Sequence, residues 1–340
     1  MKIEGLRVVV VGGAIGGAST ALLLARAGAE VCLVERAPEP PMGGAGIGLA
    51  ENGLAVLESL GLGADLARAS AELGGVRITD ARGRLLYLPK GPRPGEPPLL
   101  RMARRSDLHT LLTRALLAEP RITARYAARF TGLEIGTASS AVRFQTPEGH
   151  HELEADLVIG ADGVRSAVRE AAGFAAKVRK SGIAYVRGLA PAGLALGEEA
   201  WTSAGLFGSF PVPDGTYWYA SLGARRVKAA VAARDVGLFR EAWIEAYPRC
   251  APLLERVESW DELLMNDVIQ VDCARFVKGH VALVGDAAHA MPPNLGQGAN
   301  SALVDAAVLV QELSRAPDVP TGLAAYDARR RPKVKAVAKT

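Results

Sequence analysis

The chain is short of cysteine, short of aromatics and free of long apolar runs. Its three cysteines, Cys32, Cys250 and Cys273, are odd in number and far apart. They offer no disulfide framework and no metal-ligand spacing, and they fit a reducing compartment. No apolar stretch reaches the ~20 residues that a membrane-spanning helix needs. Residues 8–11 are a short strand running into glycine, which is not the apolar centre of a signal peptide. The expectation is a cytoplasmic protein with no membrane partner. Neither charge sign dominates: 40 Lys and Arg stand against 36 Asp and Glu, leaving +4. That mild excess, spread along the chain, suits small anionic molecules and marks no nucleic-acid surface. Internal repeats and a Ser-His-Asp constellation are both missing.

What the chain does have is apolar content, 49% over 340 residues, enough for two domains or one large one. It also has glycine in particular places. Residues 281–284 read as a buried strand, which ends in Gly285-Asp286. Pro292-Pro293 forces an extended loop, Gly296-Gln297-Gly298 follows, and a helical pattern runs to Leu313. A Gly-rich loop thus feeds a helix start, where free N–H groups and the positive dipole end favour negative charge. Asp286, on the strand side, suits hydroxyl groups. Hydroxyls at one point and partial negative charge about ten residues on suggest a flavin, with its ribityl chain and pyrimidine edge.

Residues 7–35 read as one βαβ unit. The turn is Gly12-Gly13-Ala14-Ile15-Gly16-Gly17, the helix carries Ala18, Leu22 and Ala25, and Gly28 ends it. Glu35 closes the unit, where an acid takes adenosine ribose hydroxyls. Ala14 replaces the middle glycine of G-x-G-x-x-G, at the place where backbone approaches a pyrophosphate. Further on, residues 41–53 carry Gly43, Gly44, Gly46, Gly48 and Gly53, a density that permits close approach to a flat ring. Composition alone leaves a plain surface loop equally open there. Arg105 opens a helix carrying Leu108, Leu111, Leu112 and Leu116, and a guanidinium suits a diphosphate. Asp162-Gly163, with Arg165 close by, follows a further buried strand.

These ordered motifs resemble those of the flavin-dependent aromatic monooxygenases, the group that includes para-hydroxybenzoate, salicylate and urate hydroxylases. The resemblance spans nearly the whole chain. It implies that Gly285-Asp286 holds the ribityl chain. It also implies that the backbone of Pro293, Gly296, Gln297, Gly298, Ala299 and Asn300 holds the flavin ring. By the same resemblance Gly12, Ala14, Gly16 and Gly17 approach the FAD pyrophosphate. Glu35, with Arg36 beside it, sits at the ribose, and Gly48 passes the ring. Arg105 reaches the pyrophosphate, and Asp162-Gly163 supports it. The implied fold is α/β, a Rossmann-like FAD-binding domain with an inserted β-sheet substrate domain. The FAD domain takes residues 1–72, 99–178 and 266–340, and the substrate domain takes 73–98 and 179–265.

The implied activity uses NADPH or NADH and dioxygen to hydroxylate an aromatic or N-heterocyclic small molecule through a flavin C4a-hydroperoxide. No second dinucleotide fold is visible, so the nicotinamide is expected to bind transiently. An epoxidase or reductase on the same scaffold remains open, as does a non-catalytic flavin-binding redox module. The Trp-x-Trp-x-Ile-Pro motif of flavin halogenases is absent. The expected assembly is a monomer or homodimer, with no metal.

Residues 179–265 concentrate aromatics around a hairpin at Pro213-Asp214-Gly215. Alternation along that strand puts Tyr217 and Tyr219 on one face and Trp218 on the other. The expectation is that both tyrosines face the cavity, as candidate catalytic residues, and that the indole packs inward. His289 reads as packed behind the Gly-Asp loop rather than as a base. The basic run Arg329-Arg330-Arg331 reads as a solvated helix face, in a family that usually continues for several more helical turns.

Overall fold

A computed structural model describes residues 3–39, 45–93, 96–293 and 296–338. Gly43, Gly44, Asn294 and Leu295 therefore lie outside the described residues. The first sheet has six strands, in the order Val277–Lys278, Val281–Leu283, Leu157–Gly160, Arg7–Val11, Glu30–Val34, Ile122–Arg125. All pairs are parallel except the outermost, Val277–Lys278. The strand Leu157–Gly160 is buried at every residue, as a parallel strand covered on both faces must be. The helices Ile15–Arg26 and Gln297–Arg315 pack against each other, and Val319–Val337 lies on the second of them.

The second sheet has seven strands, in the order Leu264–Cys273, Ala176–Ala190, Gly215–Ser221, Gly205–Val212, Glu198–Thr202, Arg77–Asp80, Leu85–Tyr87. Its pairs are antiparallel except Glu198–Thr202 with Arg77–Asp80. One face buries Phe207, Trp218, Trp243 and Tyr247 in a core shared with the helices Arg225–Ala233 and Val236–Ala246. The other face gathers Phe210, Val212 and Tyr217 with Met102. Met102 belongs to a small sheet of Gly46–Ala50, Leu100–Arg104 and Ser70–Leu73.

Two regions differ from the sequence reading or exceed it. Residues 46–50 form a strand paired to Leu100–Arg104, in a stretch whose glycine density left a plain surface loop and close approach to a flat ring equally open. An antiparallel meander, Arg129–Ile135, Ser140–Thr146 and Gly149–Ala155, was not anticipated at all. The aromatic register is as read: Trp218 is fully buried on the helix side, and Tyr217 and Tyr219 take the opposite face.

Candidate active site

The dinucleotide turn is shaped by backbone crowding. Gly12 has φ +104°, and a Cβ there would lie 2.4 Å from the carbonyl oxygen of Ala161. At Gly17 a Cβ would come within 1.8 Å of the Gly12 oxygen, so the helix can start only this close to the turn if that residue is glycine. Ala14 is the N-cap of Ile15–Arg26 at φ −73°, ψ −175°, which an alanine adopts without strain. Gly16 faces the other helix, with Ala302 3.3 Å from where its Cβ would be. The Glu35 carboxylate accepts from the N–H of Gly13 at 2.6 Å and of Ala37 at 2.8 Å. The acid at the strand end thus folds back onto the turn, with Arg36 exposed beside it.

Arg105 is exposed at the first residue of Arg105–Ala118, and its N–H donates to the Ala45 oxygen at 3.1 Å. His109, one turn on, is pushed down to about 4, first by burial and then by the Arg105 charge, against an opposing pull from Glu35. Asp162 accepts from the Ser166 hydroxyl at 2.5 Å and the Val168 N–H at 3.1 Å, tying down the start of Ala167–Ala171. Burial, opposed by these bonds, raises its pKa above the usual carboxylate value. Gly163, at φ +79°, has open space where a Cβ would be.

The stretch after Val281–Leu283 is held by a network that sequence reasoning missed. Asp305 is fully buried and accepts from the Gly285 N–H at 2.9 Å and from Arg330 Nε at 2.7 Å. It also bonds His289 Nε2. Burial disfavours the charged forms of both partners. Their mutual attraction outweighs it, raising the His289 pKa and, with Arg330, lowering that of Asp305. His289 is thus a packed histidine, as read, and one bonded to a buried carboxylate. Arg330 corrects the reading of the basic run: it is buried, because a carboxylate inside the molecule needs a cation. Arg169 is another missed residue. Its buried guanidinium donates to the oxygens of Ala287 at 2.8 Å and Val164 at 2.9 Å, joining the Asp162 and Asp286 segments.

Asp286 itself is exposed at the start of Asp286–His289 and makes no side-chain hydrogen bond among the described residues. The helix Gln297–Arg315 starts at Gly296, in the left-handed region at φ +61°, with no side-chain cap and no acid in its first turn. Its first N–H groups are left for a ligand or solvent. Gly298 has nothing within 4 Å of a would-be Cβ. Pro293 turns the chain there, accepting from the Gly296 N–H at 2.8 Å. Ala299 is half-buried in the helix's first turn. Asn300 is committed to protein: Nδ2 donates to Gly48 at 3.0 Å and Gly296 at 2.9 Å, and Oδ1 accepts from Ala50 at 3.0 Å. Gln297 Oε1 accepts from Asn52 at 3.1 Å. These bonds lace the strand Gly46–Ala50 to the helix start.

An uncapped helix start, a crowded glycine turn and an unpartnered exposed carboxylate fit a ligand with a pyrophosphate, a polyol and an electron-poor ring. FAD has all three. Among the described residues no His/Cys/Asp/Glu group could hold a metal. No helix among them is long and apolar enough to cross a membrane.

Comparison with known proteins agrees. A family model described as FAD binding domain matches residues 5–340. The chain is 33% identical over 344 residues to 3-amino-4-hydroxybenzoate 2-monooxygenase of Streptomyces cremeus, covering 96% of this chain and 84% of that protein. It is 32% identical over 337 residues to aurachin C monooxygenase/isomerase of Stigmatella aurantiaca, covering 96% and 85%. The tetrameric form of 2-methyl-3-hydroxypyridine-5-carboxylic acid oxygenase matches with a TM-score of 0.83 and 28% identity, over 99% of this chain and 90% of that one. Motifs, geometry and relatives coincide, and the chain belongs to the FAD-dependent monooxygenases that hydroxylate aromatic and heterocyclic rings.

Proposed function

We propose that this enzyme hydroxylates a small aromatic or N-heterocyclic compound between the tyrosine face of the seven-stranded sheet and the start of Gln297–Arg315. One observation carries the reading. The Tyr217 ring lies against Gly46, where a Cβ would be 2.3 Å from its Cγ, and Gly48 of the same strand is bonded to Asn300 in the first turn of that helix. The strand Gly46–Ala50 thus touches both the aromatic face and the helix start. The relatives' names describe rings carrying hydroxyl, amino or carboxyl groups. We extend that substrate class to this chain.

Bound FAD, reduced by NADPH or NADH, supplies the activation of dioxygen and the delivery of one oxygen atom to the ring. The protein's residues do the rest. Asp286 accepts from ribityl hydroxyls, and Glu35, with Arg36 nearby, holds the adenosine end. Arg105, the turn at Gly12, Ala14, Gly16 and Gly17, and the Asp162-Gly163 segment position the pyrophosphate. The N–H groups of Gly298 and Ala299 stabilise negative charge at the ring edge. Tyr217 and Tyr219 orient the substrate, and the two sheets exclude water. Residues 1–72, 99–178 and 266–340 form the FAD-holding part, and 73–98 and 179–265 the substrate part. The enzyme works in the cytoplasm as a monomer or homodimer.

The test is NADPH and NADH oxidation by purified protein against phenols, aromatic acids and N-heterocycles, with product mass checked for one added oxygen. Oxidation unaffected by every ring compound, with no oxygenated product, overturns the reading. Asp286→Ala should weaken FAD retention, since hydroxyls lose a charged acceptor worth about 1.5–3 kcal/mol, roughly 10- to 150-fold. Unchanged retention removes Asp286 from the site.

A further inference from the structure

Four residues stand in one row across the seven-stranded sheet. Arg187 pairs with Tyr219, Tyr219 with Gly208, and Gly208 with Glu199. Directly paired residues share a face, so Arg187, Tyr219 and Glu199 all lie on the side of Tyr217. Gly208 makes the row work. A Cβ there would sit 2.2 Å from Tyr219 Cζ and 2.6 Å from its hydroxyl oxygen, so only glycine lets the phenol lie across the intervening strand. The hydroxyl reaches Glu199 Oε2 at 2.5 Å. The other carboxylate oxygen accepts from Trp201 Nε1 at 2.8 Å.

The roles in this contact are forced. A carboxylate accepts only and an indole N–H donates only, so the Tyr219 hydroxyl is the donor to Glu199. A charge-assisted bond of this length holds the hydrogen in place. Burial and then the Glu199 charge push the Tyr219 pKa well above that of a free phenol, so the hydrogen stays on. What remains of the hydroxyl is lone pairs. The far end of the row has the opposite polarity. Arg187 lies over the Tyr185 ring, 5.7 Å from its centroid, and bonds the Tyr217 hydroxyl. The face is therefore polarised, with a donor end at Arg187 and Tyr217 and an acceptor end at Tyr219.

Building on the pocket reading above, we infer that Glu199 locks Tyr219 as a hydrogen-bond acceptor, so that the pocket selects rings presenting an O–H or N–H to Tyr219 and an acceptor or anionic group to Arg187 and Tyr217. Glu199 acts here as a positioning residue, working through Tyr219. A methylated analogue leaves the Tyr219 lone pairs buried without a partner, and such sites discriminate strongly against the missing donor.

The experiment uses three matched pairs on FAD-loaded enzyme. They are 4(1H)-quinolone and its N-methyl form, 3-hydroxybenzoate and 3-methoxybenzoate, and 2-aminobenzoate and 2-(dimethylamino)benzoate. Calorimetry measures binding, and NADPH oxidation measures response. The parent should bind the donor-bearing member at least tenfold tighter in one pair or more. Glu199→Gln can offer its amide N–H to the phenol oxygen and free the hydroxyl hydrogen, so the preference should fall below threefold with FAD content unchanged. Gly208→Ala, which displaces the ring from Glu199, and Tyr219→Phe should do the same by separate routes. A parent that binds neither member of any pair, or both equally, overturns the inference. So does a Glu199→Gln enzyme that keeps the tenfold preference. Failure of the pocket reading looks different: Tyr217→Phe and Tyr219→Phe would then leave substrate-stimulated NADPH oxidation as in the parent.

Discussion

Replacing Asp305 by alanine should be costly out of proportion to its size. The carboxylate is fully buried, and its partners His289 and Arg330 are buried with it. It also accepts the Gly285 N–H. Asp305→Ala leaves the Arg330 cation, the His289 ring and one N–H inside the molecule without their acceptor. Breaking a buried ion pair from one side costs about 3–5 kcal/mol. At ~2.1 cal/mol/K per residue, the 340-residue chain unfolds with an entropy near 0.7 kcal/mol/K, so Tm should fall by about 4–7 °C. The His289 pKa is raised above 6.5, so its contribution is complete below that pH and fades as pH rises through the higher folded value. That of Asp305 is lowered below 3.8, so its contribution is complete above that pH and fades as pH falls through the lower folded value. The Tm gap between parent and variant should therefore be widest between about pH 4 and 6.5 and narrow on the alkaline side. Thermal scans across pH, with and without added FAD, measure it. FAD retention should drop too, because Gly285 loses the bond that sets the Gly-Asp turn. Parent and variant melting within 1 °C of each other would refute the reasoning.

Two further outcomes follow from the geometry. Ala14→Gly should bind FAD at least as well as the parent and Ala14→Val markedly worse, and equal FAD titrations in all three would place residue 14 away from the phosphates. Trp218 is fully buried and stacks on Phe207 at 5.9 Å, but its Nε1 has no hydrogen-bond partner among the described residues. Trp218→Phe should cost about 1–2 kcal/mol of stability, while Tyr217→Phe should leave FAD content intact and alter product formed per NADPH; the reverse pattern would exchange the roles of the two faces.

The nucleotide turn and the Gly-Asp segment were legible because their requirements are local. A positive φ at Gly12 and a 1.8 Å clash at Gly17 are met only by particular residues at particular spacings. Strand alternation likewise foretold the faces of Tyr217, Trp218 and Tyr219. What stayed hidden depends on distant partners. Arg330 looked like surface because its carboxylate sits 25 residues earlier. Glu199 and Tyr219 are 20 residues apart and meet only through sheet register and a glycine between them. The strand Gly46–Ala50 was hidden by its own glycines, which disfavour strand on propensity; Gly46 is required there by close packing against Tyr217.

The strand order of the first sheet has a consequence for how the protein is made. Arg7–Val11 is a central strand, yet one neighbour, Leu157–Gly160, is synthesised about 150 residues later. That strand in turn waits for Val281–Leu283. At 5–20 residues per second, the ribosome needs roughly 15–55 s to pass from the first of these strands to the last. Until Leu157–Gly160 is made, Val8, Val9, Val10 and Val11 form an apolar strand with an open edge, the kind of segment that invites wrong pairing. The second sheet waits in the same way, since Arg77–Asp80 pairs with Glu198–Thr202. Strand order thus sets a delay in closing each sheet, and the first sheet is complete only once residue 283 has emerged.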